Sequence, residues 1–295
     1  MVGMRVRYLR SPRWAVAATS VVVFFAGCLA GCDAGRAASD PTDQGRPTIG
    51  RLDRTVRVLQ MNLCNSGRAD CYSGGRAVST AVALIHEHRP DMVSVNEVCR
   101  DDLPVLEQAM SAGVAPQAVA SAFTSAKDRH THAPVRCLNG QEFGNGVLAG
   151  VPPPAVGSRS YSGVYPVQDP HDSEERVWVC IALATRFTAC TTHASSADTT
   201  VALNQCRFLV KSAVPRISRG NGAGPIIVGA DLNLAARGSP SPEACLSDGY
   251  QRTDDGGLQS VMVSPGVGVR AHSVIDMQGT TDHPGLLVDL VLSGS

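Results

Sequence analysis

The chain has 295 residues, with 26 basic and 26 acidic side chains, a formal net charge of +0, 43% hydrophobic residues and 4% aromatic residues. That is ample apolar material for a large core. Balanced charge leaves no electrostatic footprint for strong non-specific nucleic-acid binding, and so few aromatics argue against a single-strand stacking platform.

Arg5, Arg7, Arg10 and Arg13 make a basic start, followed from Trp14 to Gly27 by an apolar run too short to span a bilayer comfortably. Leu29-Ala30-Gly31-Cys32 reads as a lipobox, the signal for lipidation and cleavage before Cys32, with Phe25-Ala26-Gly27-Cys28 a poorer version of the same pattern. The expected organisation is a lipoprotein signal peptide over 1–31, a flexible tether over 32–54 and one globular domain over 55–295. An uncleaved anchor or a plain secretory signal is the competing reading, and export follows from each. Removing the leader takes away four arginines and no acidic residue, so the mature domain is mildly acidic.

Within the domain, Val56 to Met61 alternates like a strand. Arg76 to His88 carries Ala77, Val78, Ala81, Leu84 and Ile85 at helical spacing and stops at Pro90. Asp91 to Glu97 predicts the next strand, and Ser111 to Glu142 reads as the longest loop-like stretch. Ser160–Val167, Glu175–Ala184 and Phe187–Thr192 read as strands, and Ala202–Val214 as a helix. Pro225–Ala230, Leu258–Val263 and Leu286–Leu292 complete the strand set. Pattern alone indicates an α/β or α+β domain.

Setting aside Cys28 and Cys32, the domain holds Cys64, Cys71, Cys99, Cys137, Cys180, Cys190, Cys206 and Cys245. An even set in an exported chain reads as disulfides. Cys64 and Cys71 bracket a Gly-containing loop, and Cys180 and Cys190 lie on consecutive strand-like runs. Cys99–Cys137 and Cys206–Cys245 remain by elimination. No CxxC pair supports a cysteine metal site.

Five polar motifs end or follow these apolar runs: Gln60-Met61-Asn62-Leu63, Ser94-Val95-Asn96-Glu97, Thr192-His193, Gly229-Ala230-Asp231-Leu232-Asn233 and Thr281-Asp282-His283-Pro284. Buried strands favour apolar residues, so polar side chains at their ends call for another reason. Together they supply hard oxygen ligands, two imidazoles for proton transfer and amides to hold phosphate. A serine hydrolase is poorly supported, because no G-x-S-x-G turn is present.

In order and context, from about Thr55 to Val288, these motifs resemble the endonuclease/exonuclease/phosphatase superfamily. The chain is identified as an exported bacterial lipoprotein member of it. The resemblance implies a deoxyribonuclease-I-like, four-layer sandwich of two mostly antiparallel sheets flanked by helices. It implies a Mg²⁺-dependent phosphoester hydrolase, with Mn²⁺ an alternative ion. Glu97, Asn62 and Asp282 would form the metal site, and Asn233 and Asn62 would hold the phosphate. His283 would be the general base, Asp231 would position the nucleophile, and His193 would stabilise the transition state or protonate the leaving oxygen. Gly144 to Ala149 resembles a strand behind the site, its glycines serving backbone geometry.

One position departs from the pattern. Gln259 stands where the family carries an Asp that orients the base imidazole, with Asp254, Asp255 and Asp276 as possible substitutes. Arg176 and Arg207 fit ordinary surface positions, and His130, His132 and Glu142 fit a solvated loop. The expected partners are a phosphoester substrate, nucleic acid or phospholipid, and a membrane through the lipid anchor, for a monomer on the outer face of the cell membrane or secreted. The rival reading is a non-catalytic surface lipoprotein that uses the scaffold to bind a partner.

Overall fold

The computed structural model describes residues 54–112, 118–151, 157–184, 186–222 and 224–293. The leader, Cys28, Cys32 and nearly all of the tether lie outside these residues. In chain order the elements are β1 (Arg54–Asn62), α1 (Arg76–His88), β2 (Met92–Cys99), α2 (Asp102–Ser111), β3 (Ala118–Ser125), β4 (Lys127–Asp128) and β5 (Phe143–Val151). There follow β6 (Ser158–Val164), β7 (Glu174–Glu175), β8 (Val177–Leu183), β9 (Phe187–His193), α3 (Thr199–Phe208) and α4 (Val214–Gly220), the two helices joined through a π turn over Leu209–Ala213. Then come β10 (Ile226–Asp231), a 3₁₀ turn (Pro242–Cys245), β11 (Gln251–Asp254), β12 (Gln259–Val263), β13 (Val267–Ile275) and β14 (Gly285–Leu292).

Two six-stranded sheets pack face to face, in the orders β13-β14-β1-β2-β5-β3 and β11-β12-β10-β9-β8-β6, and β4 and β7 make a small ribbon. Each large sheet has a parallel pair at its centre, β1 with β2 and β10 with β9, and its other neighbours are antiparallel. Three apolar layers follow from the period-2 alternation of the central strands. Leu59 and Met61 of β1 face α1 and α2, whereas Val56 and Val58 face the second sheet. On β10, Ile226, Val228 and Ala230 pack beneath α3 and α4, whereas Ile227 faces inward. The expected four-layer sandwich is present. Among the described residues no helix is long and apolar enough to cross a membrane.

The layer between the sheets changes character along its length. On β1 the inward positions run Val56, Val58, Gln60, Asn62, and on β9 they run Phe187, Ala189, Thr191, His193. On β10 they run Ile227, Gly229, Asp231, and on β12, read backwards, Val263, Val261, Gln259. Hydrocarbon fills one end of the sandwich, and polar groups at the strand ends gather at the other.

All four disulfides form as the sequence indicates: Cys64–Cys71, Cys99–Cys137, Cys180–Cys190 and Cys206–Cys245. Three of the stretches assigned from sequence fold differently, and α2, β11 and β13 have no counterpart in the sequence reading. The loop-like stretch before Glu142 contains β3 and β4, because the small residues of β3 pair with β5 while remaining half-exposed at a sheet edge. The expected strand Glu175–Ala184 is broken at Arg176 into β7 and β8. The expected helix Ala202–Val214 starts earlier, where Asp198 accepts hydrogen bonds from the Thr200 and Val201 N–H groups, and gives way to the π turn ahead of Pro215.

Candidate active site

Beneath the polar end lies a continuous buried hydrogen-bond network. Ser94 Oγ donates to Gln60 Oε1 (2.5 Å), and Gln60 Nε2 donates to Asn96 Oδ1 (2.7 Å) and Gln259 Oε1 (2.9 Å). Asn96 Nδ2 reaches Asn145 Oδ1 (3.0 Å) and Thr191 Oγ1 (3.2 Å), while its Oδ1 accepts the Asp231 N–H (3.1 Å). Gln259 Nε2 donates to Asp231 Oδ2 (2.6 Å). Gln60, Ser94, Asn96, Asp231 and Gln259 have at most 1% exposure. Satisfied buried amides of this kind fix one geometry, since leaving any partner unpaired is costly.

On this floor stand the strand-end residues. Glu97 lies within a register shift in the β2–β5 ladder between Val95 and Val98 and has φ 55°. The bulge turns its carboxylate towards the pocket instead of continuing the alternation. Asn62 Nδ2 donates to Glu97 Oε1 (2.8 Å) and Asp231 Oδ2 (3.0 Å), and its Oδ1 accepts the Cys64 N–H (3.0 Å). These partners fix the amide orientation, because the flipped form would set its oxygen against two carboxylates. Asn62 therefore presents nitrogen to the two acids.

Asp231 carries four such contacts, the fourth being the Asn233 N–H to Oδ1 at 3.1 Å. Burial works to raise its pKa, but His193, His283 and the Asn62 and Gln259 amides together outweigh it and hold the carboxyl below its ordinary value. Asn233 sits at φ 50° and anchors its amide on the Ala194 carbonyl (2.9 Å). His283 Nε2 lies 3.6 Å from Asp231 Oδ2 and 3.7 Å from Asp282 Oδ1.

Gln259 thus holds Asp231 and, among the described contacts, makes none with His283. The carboxylates beside the imidazole are Asp231 and Asp282. Of the other candidates, Asp254 pairs with Arg252, Asp255 accepts the Gly257 and Gln259 N–H groups, and Asp276 caps Gln278.

Arg176 is the largest correction to the sequence reading. Expected at the surface, it is 5% exposed. Its Nε and Nη2 both reach Asp172 Oδ2 (2.9 and 2.7 Å), Nη2 also reaches Ser196 Oγ (3.2 Å), and Nη1 lies 3.1 Å from His193 Nδ1 and 3.5 Å from Glu174 Oε1. Glu174 keeps 19% side-chain exposure, yet burial raises its pKa against the pull of Arg176 and His193. Asp172, Glu174 and Arg176 follow the end of β6 and carry no periodic signal, so a pattern search passes over them. Arg207, by contrast, is exposed and caps the Ala244 carbonyl.

Glu97, Glu174, Arg176, His193, Asn233, Asp282 and His283 line one open pocket of about 390 Å³, with Phe143 and Leu258 as its apolar wall. Five of the expected site residues therefore share a pocket, and Asn62 and Asp231 lie directly beneath it. His132 and Glu142 do not join them: His132 pairs with Glu175 and Glu142 with Arg100. Gly144 and Gly146 allow close packing, since a Cβ there would overlap the Thr124 carbonyl or Leu103.

No family model matches the sequence, and no curated protein matches it. Solved structures do match. An endonuclease/exonuclease/phosphatase family protein from Bacteroides thetaiotaomicron superposes with TM-score 0.58 at 14% identity, over 82% of this chain and 99% of that one. The chain has the endonuclease/exonuclease/phosphatase fold. The catalytic domain of human Nocturnin, solved with a bound sulfate anion, shares this fold with TM-score 0.57 at 15% identity, over 81% and 96% of the two chains. A mannosyl-6-phosphatase from Bacteroides thetaiotaomicron shares it with TM-score 0.55 at 15% identity, over 80% and 99%.

The donor chemistry of the site suits a hard cation. Glu97 has one carboxylate oxygen held by Asn62 and the other without a hydrogen bond among the described residues, and Asp282, 57% exposed, borders the same pocket. Among the described residues, the one close cluster of three potential ligand groups is Cys64, Cys71 and Asp282. Its two sulfurs form a disulfide, so it is no metal site. An ion that binds through one or two carboxylates and retains its waters, as Mg²⁺ does, fits this sparse set.

Proposed function

We propose that the chain is a metal-dependent phosphoester hydrolase in which water attacks phosphorus in line. The observation that carries this reading is the convergence of Glu97, His193, Asn233, Asp282 and His283 on one pocket above a buried Asp231. Glu97 and Asp282 would hold Mg²⁺, with Asn62 keeping Glu97 in place. When bound, the ion supplies Lewis-acid neutralisation of charge developing on the phosphoryl oxygens.

The chain's own groups account for the rest. His283, flanked by the Asp231 and Asp282 carboxylates, takes a proton from the attacking water, and the nearby negative charge stabilises the imidazolium that results. Asp231, held anionic by its neighbours against the effect of its burial, positions the nucleophile. Asn233 offers the remaining N–H of its anchored amide to the phosphate, and His193 faces the same space from β9. The apolar run at the N-terminus and four disulfides support export, with Cys32 as the lipid attachment point. Extracellular nucleic acid and phospholipid headgroups are the substrate classes that fit such a location.

The test is turnover of bis-p-nitrophenyl phosphate, plasmid DNA and sphingomyelin by the purified, disulfide-bonded chain, with Mg²⁺ or with EDTA. Mg²⁺-dependent hydrolysis is expected, falling by about 10²-fold or more in Glu97→Ala and His193→Ala. Absence of turnover with every substrate, from a folded chain supplied with Mg²⁺ or Mn²⁺, would leave the scaffold as a binding protein.

A further inference from the structure

The buried guanidinium of Arg176 touches a ring nitrogen, an arrangement whose polarity is unambiguous. Arginine has only donors. At 3.1 Å from Nη1, His193 Nδ1 must accept. An imidazole whose Nδ1 accepts carries its proton on Nε2. The contact is no surface accident, because Arg176 is 5% and His193 7% exposed. The remaining guanidinium donors are taken by Asp172, Glu174 and Ser196, so the group cannot swing away to bind phosphate itself.

We infer that Arg176 is a positioning residue which fixes the His193 ring so that Nε2–H is presented to a phosphoryl oxygen. This rests on the proposed phosphoester hydrolysis and narrows it. His193 is on β9, in register with Asp231 on β10, and its Nε2 lies 3.9 Å from Glu97 Oε1, on the pocket side. Losing the Nε2 proton while Nδ1 accepts from Arg176 would leave an imidazolate beside the Glu97 carboxylate. His193 is therefore a hydrogen-bond donor to charge developing on the phosphate, and protonation of the leaving oxygen is not its task. Asp172 and Glu174 serve one step further out: they hold the guanidinium that holds the ring.

Two readouts test this with the full-length chain. The first is the ¹⁵N spectrum of the histidine side chains, with His193 assigned by its loss in His193→Gln. A protonated Nε2 and an unprotonated, pyridine-like Nδ1 are expected, and a protonated Nδ1 overturns the inference. This readout needs no turnover, so it decides the matter even if no phosphoester proves to be a substrate. The second is a double-mutant cycle on bis-p-nitrophenyl phosphate. Arg176→Met is made together with Asp172→Asn, which neutralises the carboxylate that accepts from both Nε and Nη2, while Glu174 keeps its partly exposed side chain. That pair is expected to lower kcat by about 10–100-fold with KM changed by less than about 3-fold, and to have little further effect in the His193→Gln background. An equal loss in both backgrounds would mark Arg176 as merely structural and overturn the assignment.

Discussion

Asp231 is a carboxylate without solvent contact whose charged form is nonetheless favoured. Burial alone would push its proton affinity up, but two imidazoles and two side-chain amides reverse the sign. A group whose folded pKa lies below its unfolded value contributes stability that is complete above the unfolded value, about 3.9 for Asp, and is lost as pH falls through the folded one. Asp231→Asn removes this contribution. The stability advantage of the wild type over Asp231→Asn, measured by denaturant titration from pH 6 to pH 3, is expected to be flat above about pH 5 and to shrink below about pH 4. A constant difference through that range would show that the ionised carboxylate is not what the floor of the pocket stabilises. Asn62→Asp tests the same balance from the other side: it exchanges a donor to both Glu97 and Asp231 for a third acid.

At the level of elements, the central strands were legible because two constraints coincide in them. Pro225 to Ala230 is apolar on both faces, Val56 to Met61 alternates and Met92 to Val95 is interrupted only by Ser94, and the polar residues that end or follow these runs announce a site. Edge and connecting elements carry neither signal. The outer face of β13 is largely exposed, β3 is built of small residues, and α2 has Pro104 in its first turn. Arg176 reads as a surface residue in sequence because its environment is made by a turn and four side-chain partners at irregular spacing. Gln259 lies opposite Asp231 in the β10–β12 ladder, but which atom it holds depends on Gln60, a partner from the other sheet. Gly229 shows how closely those sheets meet. A Cβ there would overlap Ser94 Oγ and come within 2.8 Å of Gln60 Oε1. Gly229→Ala is therefore expected to cost about 1–3 kcal/mol, seen as a lower melting temperature, and Ser94→Gly in the same chain should recover part of it. An unchanged melting temperature for Gly229→Ala would mean that the network has slack.

Across the whole molecule, the four disulfides divide between two tasks. Cys99–Cys137 and Cys206–Cys245 close separations of 38 and 39 residues, whereas Cys64–Cys71 and Cys180–Cys190 close 7 and 10. In the chain-entropy account the longer closures restrict the unfolded chain more, each disulfide contributing about 2–4 kcal/mol. Cys206–Cys245 ties α3 to the 3₁₀ turn, within the core on the helical side of the second sheet. Cys64–Cys71 is placed differently. Its first half-cystine has φ 44°, and the Cys64 N–H is the donor that fixes Asn62 Oδ1. Through Asn62 this short loop reaches Glu97 and Asp231, and a ligand atom of Asp282 lies within 4.8 Å of both sulfurs. Removing the two disulfides should therefore have opposite signatures. Cys206→Ala with Cys245→Ala is expected to lower the denaturation midpoint while phosphoester turnover below the transition stays within about 2-fold, since uncoupled distant sites act independently. Cys64→Ala with Cys71→Ala is expected to lose less stability and more kcat, because the loop no longer holds Asn62 against the two acids. Parallel denaturation curves and steady-state kinetics on both variants check this. Equal losses of kcat would mean that the rim loop keeps its geometry without the bridge, and that the buried polar floor alone positions Asn62.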